Sequence, residues 1–466
     1  MNDVNASAPE NTAPTTDAAG RKIWTVGTLT YTTGGLVILF CWLLAGDFAW
    51  SMKERSVMWV VQLLIKKFEA SDMIAGLLIG TLPQALALIL TPIVSYRSDR
   101  HRGRWGRRIP YLIIPTPIAA LSMVGLAFSP AIGTWLHGVL GETSPGLNPS
   151  ILIVFGVFWT VFEVATVTAN AVFFGLINDV VPKAVLGRFY GMFRAMGLIV
   201  AMAFNYWLFG KAETHYTAIF IGIGILYGVG FTTMCFKVKE GEYPPPAPIP
   251  PSRAGGLVAA VRTYFRECFT RPYFLWIYAS VSFAWMAMLT ANLFNLFFAK
   301  SVGMSMDTYG KYLAATFLIS FFMSYFIGAL ADRWHPLRLS LGLLAIFAVV
   351  MVAGGLLVTD DRSFGVALIA YGVLGGSWQT AAASLTMRLF PQARYAQIDS
   401  AKAIVQSFGM MLVGPAMGYF LDLSGHDYRH AYTASGIMAL LSLLLGLVVH
   451  AKFMKLGGPK GYVAPE

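Results

Sequence analysis

The stretch SYRSDRHRGRWGRRIPYL, residues 95–112, places six arginines in a chain that is 56% hydrophobic and only 12% charged. Apolar runs of about 20 residues, the length of a membrane span, lie on both sides of it, at 73–96 and 110–130. A short loop between two spans, with no base-stacking aromatic residue beyond Trp105, is a poor nucleic-acid site. We interpret the stretch as a loop that fixes membrane topology, with the lipid bilayer and not nucleic acid as the partner.

Apolar runs recur along the 466 residues and predict an all-α integral membrane protein with twelve transmembrane helices in two six-helix halves. The proline run YPPPAPIPPSR, 243–253, favours extended polyproline II and cannot form a span. The predicted organisation is a disordered cytosolic tail (1–24), an N-terminal half (25–236), a cytosolic Pro-rich linker (237–271), a C-terminal half (272–455) and a cytosolic tail (456–466). The predicted spans lie at 34–62, 73–96, 110–130, 151–179, 188–210, 216–236, 272–298, 309–331, 337–358, 364–388, 399–422 and 431–453.

Lysine and arginine are unevenly distributed between the predicted loops. Loops on the side of residues 97–108 are basic, whereas the loop 131–150 on the other side has neither Lys nor Arg. Lys66 and Lys67 are an exception to this asymmetry. Because basic loops stay in the cytosol, we predict a multi-pass protein of the cytoplasmic (inner) membrane with both termini cytosolic.

The basic loop has a weak second copy in the C-terminal half. SDR (98–100) follows span 2 and ADRW (331–334) follows span 8, as expected of a transporter built from two related halves. An acid among arginines at helix ends can hold one conformation through charge-assisted hydrogen bonds. The alternative is that these charges only set topology. The predicted conformational latch comprises Asp99, Arg100, Arg104, Arg107, Arg108, Asp332 and Arg333.

Ionisable residues at mid-span are costly, and this makes each a functional candidate. Helical spacing places Trp159, Glu163, Thr166 and Asn170 on one face of span 4, which should face a cavity or protein. The alternative is a glutamate paired with an arginine as packing.

A second polar face lies at the end of span 1, where Asp47, Trp50 and Glu54 share one side of the helix. The apolar run resumes at VMWVVQLLI, 57–65, as if the helix continued. The alternative is that span 1 ends near Gly46 and that these three residues lie in a loop.

Other polar candidates are spread over spans 5, 7 and 10. Arg194 could balance Glu163 or Asp47, or could instead extend to the cytosolic interface. In the C-terminal half, amides and an aromatic side chain replace the acids, which suits recognition of hydroxyl groups. These candidates for substrate binding are Asn292, Asn295, Trp378 and Gln379.

These motifs resemble the major facilitator superfamily, and within it the glycoside/pentoside/hexuronide cation symporters and the sucrose/proton symporters. SDRHRGRWGRRIPYL is similar to that family's loop between spans 2 and 3, and GDFAW (46–50) resembles its sugar-contacting segment of span 1. The resemblance implies that Asp47 contacts sugar and that the protein works as a monomer. Glu163, Asn170 and Asp179 match polar positions of span 4 in sucrose symporters, which implies that Glu163 serves in proton coupling, sugar binding or both.

The coupling ion is predicted from a departure from that family. Sodium-coupled relatives have two aspartates in span 2, where this chain has Ala87 and Thr91. We therefore expect protons, with Glu163 and Asp47 in proton coupling, and no metal or other cofactor. Asp47 and Asn170 would hold sugar hydroxyls, and Trp50 or Trp159 would stack on a ring face.

The sequence thus predicts a proton-coupled symporter of a small molecule, a sugar or glycoside, working by alternating access. A proton-driven exporter of drugs or metabolites on the same fold is the alternative, because the chain contains 21 methionines. The seven histidines are scattered and no catalytic cluster lies in a loop, so we expect no enzyme.

Overall fold

The computed structural model describes residues 15–16, 22–243, 256–391 and 394–465. Within these ranges the chain forms long helices joined by short connections, and each predicted span has its helix. The helices of spans 1 to 6 are Thr33–Lys67, Asp72–Arg100, Pro110–Thr143, Leu147–Val180, Lys183–Trp207 and Phe209–Lys237. Those of spans 7 to 12 are Pro272–Ser301, Met306–Trp334, Pro336–Leu357, Asp361–Ala382, Tyr395–Leu423 and Arg429–Lys455.

Eleven helices of the described chain are long and apolar enough to cross a membrane. Span 10 falls short because its second half carries polar residues, among them Ser377, Gln379 and Thr380. The helix also ends at Ala382, before a separate short helix Leu385–Leu389, rather than continuing to residue 388 as predicted. The all-α membrane fold with paired halves is confirmed.

Span 1 is one continuous helix of 35 residues, so the alternative in which it ends near Gly46 is wrong. Asp47 and Lys53 are buried among the helices of the N-terminal half. Because these charges point into protein and not into lipid, the helix can continue through them. Asp47 therefore lies inside the span.

The predicted disordered tail contains β-strands in its described part. Strands β1 (Thr15–Thr16), β2 (Lys22–Val26) and β3 (Leu29–Thr32) form one antiparallel sheet in the order β1-β2-β3. Aromatic and β-branched residues favour these strands, and Gly27, with φ +53°, provides the turn between β2 and β3. The prediction of disorder is thus wrong for residues 15–16 and 22–24; the remainder of that tail lies outside the described residues.

The predicted linker contains a helix, Gly256–Phe269, that was not expected from its proline content. It packs near the start of span 11, where Gln397 Nε2 donates to Glu267 Oε2 at 2.8 Å and Tyr264 Oη lies 2.8 Å from Ser400 Oγ. The proline residues of the run at 243–253 lie outside the described residues. The linker is therefore partly a helix docked on the C-terminal half.

The two halves meet along spans 2 and 11 and along spans 5 and 8. We call the end of the bundle that carries residues 97–108 the basic end, and the opposite end, where residues 68–71 join spans 1 and 2, the far end. At the far end the backbones approach so closely that a Cβ on Gly414 would lie 2.7 Å from the carbonyl oxygen of Gly76. Only glycine permits such an approach, so these residues position the halves against each other.

Candidate functional site: a buried charge cluster beside a central cavity

At the basic end, the loop after span 2 is tied to the end of span 4 by ion pairs. Asp179 accepts from Arg107 at 2.6 Å and 3.0 Å and from Arg108 Nε at 3.0 Å, and Arg108 Nη2 lies 2.6 Å from Asp99 Oδ1. Burial opposes the charge of Arg107, but its hydrogen bonds to Asp179 and the negative charges of Asp179 and Asp99 together outweigh this and raise the pKa of Arg107. Three residues of the predicted latch, Asp99, Arg107 and Arg108, are therefore brought together.

The other members of the predicted latch lie elsewhere. The guanidinium groups of Arg100 and Arg104 lie over the rings of Tyr96 and Trp105, at 5.2 Å and 5.9 Å. Arg333 is exposed, and the side chain of Asp332 lies outside the described residues. Among the described residues, the ion pairs of Asp99, Arg107 and Arg108 lie within the N-terminal half, so they hold the loop to span 4.

Glu240 is a part of this end that sequence reasoning missed. Its carboxylate accepts hydrogen bonds from the backbone N–H groups of Arg107, Arg108 and Ile109 at 3.0, 2.8 and 2.7 Å. A carboxylate at a helix N-terminus satisfies the free N–H groups there and interacts favourably with the helix dipole. The segment after span 6 thereby caps span 3.

We expect Asp179→Ala to lower the thermal unfolding midpoint of the purified protein by several degrees, because it leaves Arg107 and Arg108 without their shared carboxylate. A lost charge-assisted hydrogen bond of this kind costs about 1–3 kcal/mol. Arg104→Ala in the same loop is the matched control and should change the midpoint little. Equal midpoints for Asp179→Ala and Arg104→Ala would contradict this role.

A cluster of charges lies inside the N-terminal half, contributed by spans 1 and 4. Glu163 on span 4 is 6% exposed and Lys53 on span 1 is 1% exposed. Lys53 Nζ lies 3.0 Å from Glu54 Oε1 and 3.5 Å from Thr166 Oγ1. Because isolated charges are not tolerated in such surroundings, this ion pair explains how Lys53 can be buried.

A chain of hydrogen bonds links this cluster to two predicted residues. Trp50 Nε1 donates to Asn170 Oδ1 at 2.8 Å, and Asn170 Nδ2 donates to Glu54 Oε1 at 2.6 Å. Asp47, fully buried nearby, accepts from Ser51 Oγ at 3.1 Å, while its Oδ2 has no hydrogen-bond partner among the described residues. Trp50 and Asn170 are thus brought together with the charge cluster that contains Glu163, whereas Asp47 lies beside Ser51 on span 1.

Two tryptophans predicted to contact substrate are packing residues in this structure. Trp159 Nε1 donates to the carbonyl of Leu78 on span 2 at 2.8 Å, and its ring stacks on Phe162. Trp378 is 2% exposed and packs edge-on against Trp285, with 5.9 Å between ring centroids. Helix packing buries both rings between neighbouring spans, so neither is placed to contact substrate in this structure. Trp159 faces protein, one of the two surroundings expected for its face of span 4, and the expectation that Trp378 faces the cavity is wrong.

A cavity of about 720 Å³ lies between the two halves. It is lined by both, and it collects Arg194, Asn292, Asn295 and Gln379 of the predicted substrate residues. Glu54 also lines it and connects it to the charge cluster. Lining residues that sequence reasoning did not single out as substrate contacts include Glu54, Arg55, Trp59, Trp285, Thr316, Ser320 and Tyr371.

The polar groups of the cavity come from opposite halves. Arg194 Nη2 on span 5 donates to Thr380 Oγ1 on span 10 at 3.1 Å, which joins the halves. Asn295 Oδ1 accepts from Tyr432 Oη at 2.8 Å, and its Nδ2 is buried with no partner among the described residues. Tyr371 shares one face of span 10 with Gly375 and Gln379, a spacing of four residues that could have signalled its role.

The far end closes through polar contacts between spans 1–2 and 11–12. The carboxylate of Asp422 accepts from the backbone N–H groups of Asp72 and Met73 at 2.8 Å and 3.0 Å. The buried Asp72 side chain accepts from Tyr428 Oη at 3.0 Å and lies 2.7 Å from His426 Nδ1. Lys300 Nζ and Glu213 Oε1, from opposite halves, lie 2.7 Å apart. These contacts join the halves on one side of the cavity.

Comparisons with known proteins agree with this architecture. Residues 23–410 match the family described as Major Facilitator Superfamily. The chain is 28% identical over 151 residues to the purine ribonucleoside efflux pump NepI of Escherichia coli O127:H6 (strain E2348/69 / EPEC). That match covers 31% of this chain and 36% of the pump, so the chain spans about a third of this curated relative.

Solved structures that resemble the chain share its fold at low sequence identity. A bacterial homologue of the human lysosomal transporter Spinster, in an inward-facing and unoccupied conformation, matches with a TM-score of 0.63 and 14% identity, covering 92% of this chain and 98% of that one. The xylose transporter XylE of E. coli, in an inward open conformation, matches with a TM-score of 0.61 and 14% identity, covering 88% and 95%.

Proposed function

The chain belongs to the major facilitator superfamily, and we propose that within it the protein is a proton-coupled symporter of a sugar or glycoside, working by alternating access. One observation carries the proposal: a nearly buried carboxylate, Glu163, lies close to the Lys53–Glu54 pair, and Glu54 lines the cavity between the halves. The buried acid offers a place for a proton, and the cavity offers a place for substrate.

The remaining polar side chains of the cavity suit a hydroxylated substrate. Asn292, Asn295, Gln379 and Tyr371 supply amide and hydroxyl groups, while Trp59 and Trp285 supply ring faces. Binding sites of this kind hold small molecules with a few oriented polar groups in mostly apolar walls. Sugar hydroxyls can both donate to and accept from such side chains.

Glu163 is the proposed proton carrier. Binding a proton removes a buried negative charge, which lowers the cost of moving the N-terminal half against the C-terminal half. A proton crossing a potential of 100 mV releases about 2.3 kcal/mol. Since 1.4 kcal/mol corresponds to a tenfold ratio, one proton supports accumulation of about 40- to 50-fold. Asp47, buried beside Ser51, is the second candidate for proton coupling.

The basic end is proposed to face the cytosol, which places both termini there and the protein in the inner membrane. With the halves joined at the far end, the described state would be closed towards the outside in this orientation. Glu213 and Lys300 would then separate when the protein opens outward. We propose that one chain is the transport unit, since both halves of the cavity come from it.

Uptake by a transport-deficient host tests this function. Labelled mono- and disaccharides are offered at two pH values, with and without a protonophore. We expect at least one sugar to accumulate faster at the lower pH and to lose accumulation with the protonophore. Accumulation that ignores both pH and protonophore would contradict proton coupling, and uptake of none of the sugars would contradict the substrate class.

The match to a purine ribonucleoside efflux pump favours a second candidate, a proton-driven exporter. Met58 and Met288 in the cavity wall would suit more apolar cargo. A competition assay in inverted vesicles separates the two functions. It compares sugars with nucleosides or lipophilic cations as competitors for transport. A proton gradient that drives nucleosides or lipophilic cations into such vesicles would favour export.

We expect Gln379→Ala and Asn292→Ala each to raise KM for the transported sugar about two- to tenfold, because a neutral hydrogen bond is worth about 0.5–1.5 kcal/mol. The measurement is initial uptake rate against sugar concentration. Asn148→Ala is the control, since the Asn148 amide bonds Glu69 at the far end, outside the cavity. An unchanged KM in both cavity variants would exclude these amides from substrate binding.

A further inference from the structure

Lys53 is a buried cation of the site, and sequence reasoning gave it no role. Its ammonium group is surrounded by aromatic rings, with Nζ 5.1 Å from the ring centroid of Tyr227, 5.9 Å from Trp50 and 6.0 Å from Phe162. A buried ammonium group is costly even with cation–π contacts. A helix of a membrane protein retains such a group where it has a function.

Two carboxylates compete for this single ammonium group. Lys53 Nζ contacts Glu54 directly, and Glu163 on span 4 interacts electrostatically with both Lys53 and Glu54. One buried cation can neutralise only one of them, so the other must carry a proton to avoid an uncompensated charge. In the described geometry Lys53 forms its ion pair with Glu54, which assigns the proton to Glu163.

We propose that Lys53 is the positioning residue that couples the proton on Glu163 to the substrate at Glu54. This inference rests on the proposed function. With Glu163 protonated, Lys53 stays on Glu54 and holds its carboxylate at the cavity wall, ready to accept a substrate hydroxyl. With Glu163 ionised, Lys53 moves towards Glu163 and Glu54 loses its support. Proton and substrate therefore bind cooperatively, as symport requires.

Neighbouring charges and hydrogen bonds fit this division of roles. Asn170 Nδ2 and Lys53 Nζ both hold Oε1 of Glu54, which leaves Oε2 for substrate. On span 1, Arg55 interacts with both Glu54 and Asp47, Tyr227 faces Lys53 from span 6, and Arg194 lines the same cavity from span 5. Among these, Lys53 is the one cation that interacts with both Glu54 and Glu163.

Infrared difference spectroscopy of the full-length purified protein tests the coupling without any substrate. The carboxylic acid C=O band is followed from about pH 5 to about pH 9, around the usual range of perturbed carboxyl groups. The component that disappears in Glu163→Gln belongs to Glu163. Its midpoint pH is then compared in the wild type, Lys53→Met and Glu54→Gln.

We expect opposite shifts in the two variants. Lys53→Met removes the cation and should raise the midpoint by about one pH unit or more, whereas Glu54→Gln frees Lys53 for Glu163 and should lower it. Lys311→Met, which removes a lysine from a surface pair with Asp307, should leave it unchanged. General damage to the fold would not produce shifts of opposite sign, and Glu54→Gln still tests the coupling if Lys53→Met does not fold.

Failure of the coupling through Lys53 can be distinguished from failure of Glu163 as the proton carrier. A Glu163 band whose midpoint is the same in the wild type and both variants overturns the role of Lys53 but leaves Glu163 as the proton carrier. A spectrum in which Glu163→Gln removes no titrating band overturns both the coupling and the assignment of the proton in the proposed function.

Discussion

Glu163→Gln is expected to abolish concentrative sugar uptake while the variant still exchanges sugar across the membrane. Glutamine keeps the size of the side chain and mimics the protonated acid, so the cavity and the rocking of the halves are retained. What is lost is the group that binds and releases the proton, and with it about 2.3 kcal/mol of driving force per 100 mV. Accumulation should fall from tens-fold to about onefold.

The measurement combines two assays on proteoliposomes. Uptake is driven by an imposed proton gradient, and exchange is measured by counterflow of labelled against unlabelled sugar. Thr168→Val on the same span is the control, because Thr168 is half-buried and its hydroxyl donates to the carbonyl of Val164 in its own helix. Glu163→Gln that still concentrates sugar in a protonophore-sensitive manner would contradict the assignment of the proton.

Gly414→Val is expected to stop transport by preventing closure of the far end. A Cβ at this position would lie 2.7 Å from the carbonyl oxygen of Gly76 and 3.4 Å from Cα of Gly80. Both are backbone atoms that cannot move aside. The two halves would be held apart where spans 2 and 11 cross. Uptake should fall by at least tenfold, because the described closed contact is one of the two states of alternating access.

The accessibility of a cavity thiol measures closure of the far end directly. Cys41, Cys235 and Cys268 are replaced by serine, and Leu313→Cys places one thiol in the cavity wall. A membrane-impermeant maleimide added from the far side should label this thiol in Gly414→Val far more than in its parent. Gly222→Val is the matched control, because a Cβ there meets nothing within 4 Å. Equal labelling in all three proteins would refute closure through Gly414.

The fold could be predicted from the sequence because apolar length and loop charge dominate it. Runs of about 20 apolar residues located every span, and the loop at 95–112 indicated the pairing of Asp99 with Arg108. The ion pairs of Arg107 and Arg108 with Asp179 were not predicted. The strands around Gly27 escaped prediction because the polar composition before Lys22 outweighed the short β-forming segments KIWTV and LTYT.

The site could be predicted in part. The helical faces predicted for spans 1 and 4 contain Trp50, Glu54 and Asn170, which hydrogen bonds join in the structure, because periodicity decides which residues of one helix share a face. Periodicity does not decide which neighbour covers that face. Trp159 and Trp378 were therefore predicted to bind substrate, although neighbouring spans bury their rings.

Lys53 was missed for a related reason. In the sequence, Lys53 is one of three charged residues in the polar stretch SMKERS, 51–56. The neighbouring residues do not indicate that its side chain points into the protein. Only the packing of spans 4 and 6 against span 1 buries it beside Glu54 and Glu163.

Proton movement driven by sugar tests the central claim most directly. Proteoliposomes containing the protein and a pH-sensitive dye in the lumen receive an inward gradient of the sugar found in the uptake experiments, with no imposed proton gradient. The account predicts that the lumen acidifies with the wild type and does not with Glu163→Gln. Sugar entry without acidification, or with alkalinisation of the lumen, would contradict it.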